Sequence, residues 1–431
     1  MLFHITNLRL LFHLRLTSVK RNKNSVILIL EIRLCYLLHY EQLSHKISYP
    51  LLLTFFILLV LSGDVLSQCD SDIRLFNQAQ IDEFSKNYAG CEVYNDTITI
   101  DGQSPYAQIT NLNGLHILKE IKGSLIIEVT ELTSLKGLDS LKKVGNSFSL
   151  FDNKDLLSLT GVENLETIGD FCHIDGSNSL FSLQGLNNLN FIGGHLIISE
   201  NQVLHELRAL EDLVYIGESF ELLNNPSLTT TNGIQKLTHV QYFSVQRNDK
   251  MAAITDLLKL KTLKNLGISG NDNIRHFSGL SNLQVVSNRL TIELNSSLET
   301  LGFWNLEKTG ILVIENNNKL ENLLSLESLT EITEGPLRLA GLPTLKNLDG
   351  LNNLQIINSS KTPTTAQTTI TFNSSLENID SLFNLTKIHQ PVLTPYKLES
   401  LYAIWFIDSG LESNVNSNSL FQIISTPFAD K

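Results

Sequence analysis

Few residues of this chain could do chemistry, and the best placed are two glutamates, Glu293 and Glu315. They are the one pair of carboxylates expected at the same outward strand position of neighbouring repeats, roughly 5 Å apart by strand spacing. Such carboxylates raise one another's pKa or share a cation. Polysaccharide cleavage would need them clustered with Lys or Arg as acid, base and charge stabiliser. No Gly-rich phosphate loop, His-Glu-x-x-His, Gly-x-Ser-x-Gly or Cys-x-x-Cys accompanies them, and the 11 histidines are scattered. The pair therefore reads as a solvated acidic edge, and no catalytic residue, cofactor or metal site is expected.

The cysteines are more informative. Pro50 to Leu61 (PLLLTFFILLVL) is a short apolar run, followed by Ser62, Gly63 and Val65-Leu66-Ser67. That is a signal-peptide h-region with a small residue at the cleavage point, so Gln68 is the expected mature start. The run is shorter than the ~20 residues of a spanning helix. Upstream, 1–46 reads either as an over-extended start or as a long n-region or signal anchor. Cys35 would leave with the leader. Cys69 and Cys91 bracket the first mature segment and should pair in an exported protein, while Cys172 is left as an inert core thiol. A secreted or cell-surface location follows, with no membrane span in the mature chain.

Charge narrows the partners. The formal net charge is −12, and removal of 1–67 leaves 25 basic against 41 acidic residues, or −16. An acidic chain without a basic stripe is not built for phosphate backbones, so nucleic acid is excluded.

What must position these residues is a repeat. Gly114-Leu115, Gly137-Leu138, Gly161-Val162, Gly185-Leu186, Gly233-Ile234, Gly279-Leu280 and Gly350-Leu351 recur, and Leu210, Leu257, Phe303, Leu326 and Leu382 continue the series without glycine. Steps of 23–25 residues, with one of 31, mark a solenoid whose units bury their apolar faces against each other. In 195–217, Leu196 and Ile198 alternate with His195, Ile197 and Ser199 as a short strand does. Leu204, Leu207, Leu210, Leu213 and Ile216 then follow at steps of three around a core, and Gly217 turns the corner. The same register predicts inward pairs such as Leu125/Ile127, Cys172/Ile174 and Leu290/Ile292. It leaves residues such as Ser149, His173, His195, Ser199, Glu221, Ser244, Gly267 and Val313 facing outward. Asn153, Asn201, Asn225, Asn248, Asn271, Asn295 and Asn317 stand three residues past the inward pairs, placed to bond the adjacent coil.

The expected fold is a β-solenoid: a right-handed parallel β-helix of about 12 leucine-rich coils of 23–25 residues, carrying one long parallel sheet. Its parts are the leader 1–67, an N-terminal cap 68–95 closed by Cys69–Cys91 with a short helix around Gln78–Asn87, the solenoid 96–394, and a divergent C-terminal coil or cap 395–431. Asn358–Gln367 is a Ser/Thr/Pro-rich insertion. Five Asn-x-Ser/Thr sequons fall at Asn95, Asn295, Asn358, Asn373 and Asn384.

Cys69…Asn87-Tyr88-Ala89-Gly90-Cys91-Glu92-Val93, then Ile98-Thr99-Ile100, resembles the opening of the receptor L domain of insulin- and epidermal-growth-factor-type receptors. Asn224-Asn225-Pro226-Ser227-Leu228 is similar to that family's Asn-Asn-Pro-x-Leu turn. The Leu-x-x-Leu-x-Gly-Leu…Leu-x-x-Ile-Gly unit also resembles repetitive L-domain-like and leucine-rich-repeat-like exported proteins of Bacteroidetes and fungal cell-wall proteins. The likeness covers about 69–390 and speaks to fold. The receptors' cysteine-rich module and kinase have no counterpart in this sequence, so receptor signalling is not implied. The expected function is a non-catalytic secreted or cell-surface binding or structural protein, its partner a protein or glycan at a cell surface. A β-helix polysaccharide-degrading enzyme is the alternative.

Overall fold

The computed structural model describes residues 69–104, 108–358 and 368–388, together with the backbone of four short strands, Val19–Asn22, Ser25–Leu28, Val392–Thr394 and Phe421–Ile423. Met1–Ser62 forms one unit, in which Val19–Asn22 and Ser25–Leu28 pair antiparallel. The apolar run of the leader, Cys35, Trp405 and most of the Asn358–Gln367 insertion lie outside the described residues, as does most of 395–431.

The described residues from Cys69 to Ile388 form a parallel β-solenoid of about 12 turns. The leading strand of each coil pairs with its successor without slippage, as in Cys172↔Leu196, Leu196↔Phe220 and Phe220↔Phe243. A one-residue slip would turn every inward side chain outward, so the buried alternation pins the register. The inward pairs and the three-spaced leucines are fully buried, Leu204, Leu207, Leu210, Leu213 and Ile216 among them. Each buried leucine contributes about 1.5–3 kcal/mol, and only when the next coil covers it.

The expected single sheet is in fact two. Two-residue strands at Val93–Tyr94, Glu120–Ile121, Lys143–Val144, Thr167–Ile168, Phe191–Ile192 and Tyr215–Ile216 stack as a second parallel sheet across a corner from the first. The corner is made by glycines. A Cβ on Gly169, Gly193 or Gly217 would stand 1.7, 2.0 or 1.8 Å from the carbonyl oxygen of the corner glycine one coil before, so no larger residue fits. The column ends at Gln241, whose Nε2 donates to the Gly217 carbonyl at 2.6 Å. From there the corner tightens, and the two sheets merge into the long strands Thr262–Ser269, Val285–Glu293 and Lys308–Glu315. Register shifts at Leu263/Asn265 and Val286/Arg289 absorb the change.

Two further columns close each coil. The residue leaving the strand is left-handed in coil after coil: Val129, Asp152, Gly176, Glu200, Asn224, Arg247, Gly270, Leu294, Asn316, Gly341 and Phe372 have φ between +53° and +66°. That kink turns the next residue inward, where the predicted asparagines sit fully buried. Asn225 is representative. Its Nδ2 donates to the Ile198 carbonyl of the preceding coil at 2.8 Å, and its Oδ1 accepts from Asn201 N–H at 3.1 Å. The ladder runs unbroken from Asn201 to Asn317, and Asn153 and Asn373 make the equivalent bonds in their own coils. These asparagines therefore satisfy buried backbone groups that water cannot reach.

At the N-terminal end the expected short helix is broken at Glu83 into Gln78–Asp82 and Phe84–Asn87. Cys69 and Cys91 are joined, with Cα atoms 5.8 Å apart. Ile81, Phe84 and Tyr94 are buried beneath the cap, and Tyr88 stacks on Phe84 at 4.6 Å. Gly114, the first of the Gly-Leu steps, has to be glycine, because a Cβ there would meet the Ile81 carbonyl oxygen at 1.7 Å. Gln78 clips the cap to the first coil, accepting from Thr110 N–H at 2.9 Å and donating to the Asn111 carbonyl at 3.1 Å.

Candidate functional site

The outward face of the leading sheet is where side chains of successive coils line up. Glu293 and Glu315 are register partners there. They do not form an isolated acidic pair: Arg338 of the next coil bridges Glu315 at 2.8 Å, and Ser269 Oγ donates to Glu293 at 3.3 Å. A similar device closes the other end of the face, where Arg74 reaches Asp101 at 2.7 Å and Glu128 at 2.6 Å. These ion pairs join neighbouring coils across the face, on arginines that remain half-exposed.

Three residues expected to face outward, Ser149, Ser199 and Val313, are buried. Ser149 is short and stands between the longer register neighbours Ile126 and His173, and Val313 is covered on one side by the longer Arg338. The histidines expected to be freely exposed are half-covered. His173 packs edge-on against Phe151 at 4.8 Å, and His195 stacks on Phe171 at 4.5 Å. His205 on Phe181 and His239 on Tyr215 repeat the pattern one coil apart.

Two of these histidines belong to Ser/His/carboxylate groups. Ser199 Oγ donates to the Asp175 carboxylate and lies 3.5 Å from His173 Nε2. Burial pushes the His173 pKa down, and the charges of Asp175 and Glu221 oppose that only in part. On the next coil His195 Nδ1 is 2.8 Å from Ser219 Oγ, which donates to Glu221 Oε1 at 2.8 Å. Nucleophilic catalysis needs the base between the serine and the carboxylate. In both groups the hydroxyl sits in the middle and gives its proton to the carboxylate, so neither serine is activated. Cys172 is buried and free, and burial pushes its thiol up to about 12, which leaves it inert at neutral pH.

Beyond Glu221 the face opens into a groove of about 430 Å³. Two columns form it. Glu221, Ser244, Gly267 and Thr291 are register partners along the floor, and Ser219, Tyr242, Asn265 and Arg289 are partners along the wall. Arg289 Nε donates to Thr291 Oγ1 at 2.9 Å, and Lys264 Nζ stands 5.8 Å from the Tyr242 ring centre. The outward reading of Ser244, Glu221 and Gly267 placed the floor. The wall residues stand two positions before the floor residues in the same strands, on the outward alternation that also places His195. A second asparagine ladder was missed: Asn164, Asn188, Asn282, Asn305, Asn353 and Asn384 each donate to a carbonyl of the preceding coil at 2.7–2.9 Å. Its signal is an asparagine before the leucine that follows the Gly-Leu or equivalent step in six of the units.

Three of the five sequons are unusable in the folded chain. Asn295 and Asn373 are ladder asparagines and Asn358 is buried, whereas Asn95 and Asn384 are exposed. Among the described residues, no His, Cys, Asp or Glu cluster could hold a metal ion, and no helix is long and apolar enough to cross a membrane.

No protein-family description and no curated protein matches this chain. Among solved structures, one match is the crystal structure of a TLR13–ssRNA13 complex, at 14% identity and a TM-score of 0.21. The match covers 72% of this chain and 65% of that one, so this chain spans just under two thirds of its length.

Proposed function

We propose that this chain is a non-catalytic binding or structural protein of an extracytoplasmic surface, recognising a protein or glycan. The observation that carries the reading is the groove from His195 to Arg289, an open, largely apolar depression edged by a few polar groups on a sheet face built by five successive coils. Ligand sites combine an aromatic wall with a few convergent polar groups, and Tyr242, Asn265, Glu221 and Arg289 are of that kind. The Cys69–Cys91 bond is the chemistry of an oxidising compartment, which supports export. The serine hydroxyls committed to Asp175 and Glu221, and Glu315 committed to Arg338, favour binding over catalysis.

The test is a glycan and protein array screen with purified chain, together with binding to envelope fractions of the producing cells. Retention on at least one surface component at micromolar concentration is expected, and no retention on any would refute the reading. A polysaccharide panel scored for new reducing ends checks the catalytic side. Product formation abolished by Glu315→Gln would establish an enzyme instead.

A further inference from the structure

We propose that the groove between His195 and Arg289 binds a neutral oligosaccharide, laid along the coil axis with its rings over Gly267. This deepens the binding reading above and rests on it.

Gly267 carries the argument. It lies inside the strand Thr262–Ser269, where glycine leaves the pleat without a side chain and weakens pairing. Every other glycine among the described residues has a reason to be one: a left-handed φ, or an atom within 3 Å of where a Cβ would stand. Gly267 has neither. Its φ is outside the left-handed region, and an added Cβ would meet only Ser244 Oγ, at 3.8 Å. Packing tolerates a side chain there, so the fold itself gives no reason for glycine, and what its missing side chain provides is an open floor facing outward. Close approach of a ligand is the remaining use of a mid-strand glycine.

The lining decides the occupant. Glu221 and Arg289 contribute one charge of each sign to the lining and Lys264 adds a cation at one face of Tyr242, so the groove holds no cluster of like charges for an ionic ligand. Four strand spacings separate the coil of His195 from that of Arg289, on the order of 19 Å. The spacing of successive coils is close to the rise of one pyranose in an extended chain, so successive rings meet successive coils. A pyranose presents an apolar C–H face to an aromatic ring, and Tyr242 supplies the ring. Its hydroxyls lie around the edge, where the Asn265 amide, the Glu221 carboxylate and the Arg289 guanidinium provide planar two-point partners. Ser219 Oγ holds the Glu221 carboxylate in place at 2.8 Å and is itself held by His195, so the acceptor is oriented before a ligand arrives. An extended peptide gains its main-chain bonds at a sheet edge, and this face presents none.

The experiment titrates the purified chain by calorimetry with cellohexaose, chitohexaose, maltohexaose and laminarihexaose. Binding of at least one at submillimolar concentration is expected. Gly267→Val, which fills the floor with a residue suited to a strand, and Tyr242→Ala should each weaken it at least about tenfold. The melting temperature of Gly267→Val should not fall, which separates a filled groove from a damaged fold. Gly267→Val binding as tightly as the parent would overturn the proposal. So would binding confined to heparin, polygalacturonate or peptides. If none of the four binds while envelope fractions still retain the chain, the groove assignment fails and the binding reading stands. If neither binds, both fail.

Discussion

Replacing Asn248 by alanine tests the account of what holds the coils together. The Asn248 side chain donates to the Leu222 carbonyl at 2.9 Å and to the Gln246 carbonyl at 3.0 Å, and accepts from Asn225 N–H at 3.1 Å. Asn248 is fully buried, so the truncation leaves the Asn225 N–H without its acceptor and takes a bond from each of the Leu222 and Gln246 carbonyls where water cannot replace it. An orphaned buried group costs about 1–3 kcal/mol and the lost bonds to the carbonyls add to it, which puts the substitution at about 2–4 kcal/mol. Asn282→Ala is the matched control. It removes a similar bond, Nδ2 to the Leu258 carbonyl at 2.9 Å, on an exposed turn where water replaces it. That change should stay within about 0.5 kcal/mol. Urea denaturation compares the two, and amide exchange at Asn225 reports the local loss, which matters because a long repeat array need not unfold in one step. Equal costs for the two variants, or a cost for Asn248→Ala below about 1 kcal/mol, would mean that the buried ladder is incidental to stability.

The strand-exit column makes a prediction of opposite sign. Val129 is β-branched and held at φ +53°, so Val129→Asn, the residue found at the equivalent 224 and 316, should raise stability by about 1 kcal/mol in a thermal melt; a loss would contradict the strain argument. Removing the cap bond with Cys69→Ser/Cys91→Ser, a closure separated by 22 residues, should cost on the order of 3 kcal/mol and raise exchange in the cap before the central coils; uniform destabilisation would show that the cap is not a separate closing unit. His173 has a depressed pKa from burial, so the unfolded chain binds its proton more readily and stability should fall as pH drops below the ordinary histidine value of 6.5. His173→Gln should flatten that part of the pH–melting profile, and an unchanged profile would assign the dependence to other groups.

The repeat, the strand register and the inward asparagines were legible in the amino-acid sequence because each is a local signal repeated at nearly constant spacing, and the Cys69–Cys91 pairing because the two cysteines bracket the first segment of a chain with an export signal. A leucine every third position and an asparagine after each strand can occupy only one side of a coil that must bury its apolar residues. Even the left-handed kink was foreshadowed, since Asn224-Asn225 carries a residue that tolerates it next to the ladder asparagine. What stacking decided is different in kind. The second sheet depends on glycines that touch carbonyls a whole coil away, and its fusion with the first follows from Gln241 ending that column. Arg338 neutralises Glu315 only because strands some two dozen residues apart lie side by side. The serines at 199 and 219 became hydrogen-bond donors to carboxylates, and three sequons were sealed in the core, for the same reason. The groove required all of this, because its floor and wall come from consecutive coils whose side chains meet only across the sheet. Periodicity along the chain sets which way a residue points, and contact between coils sets what it finds there.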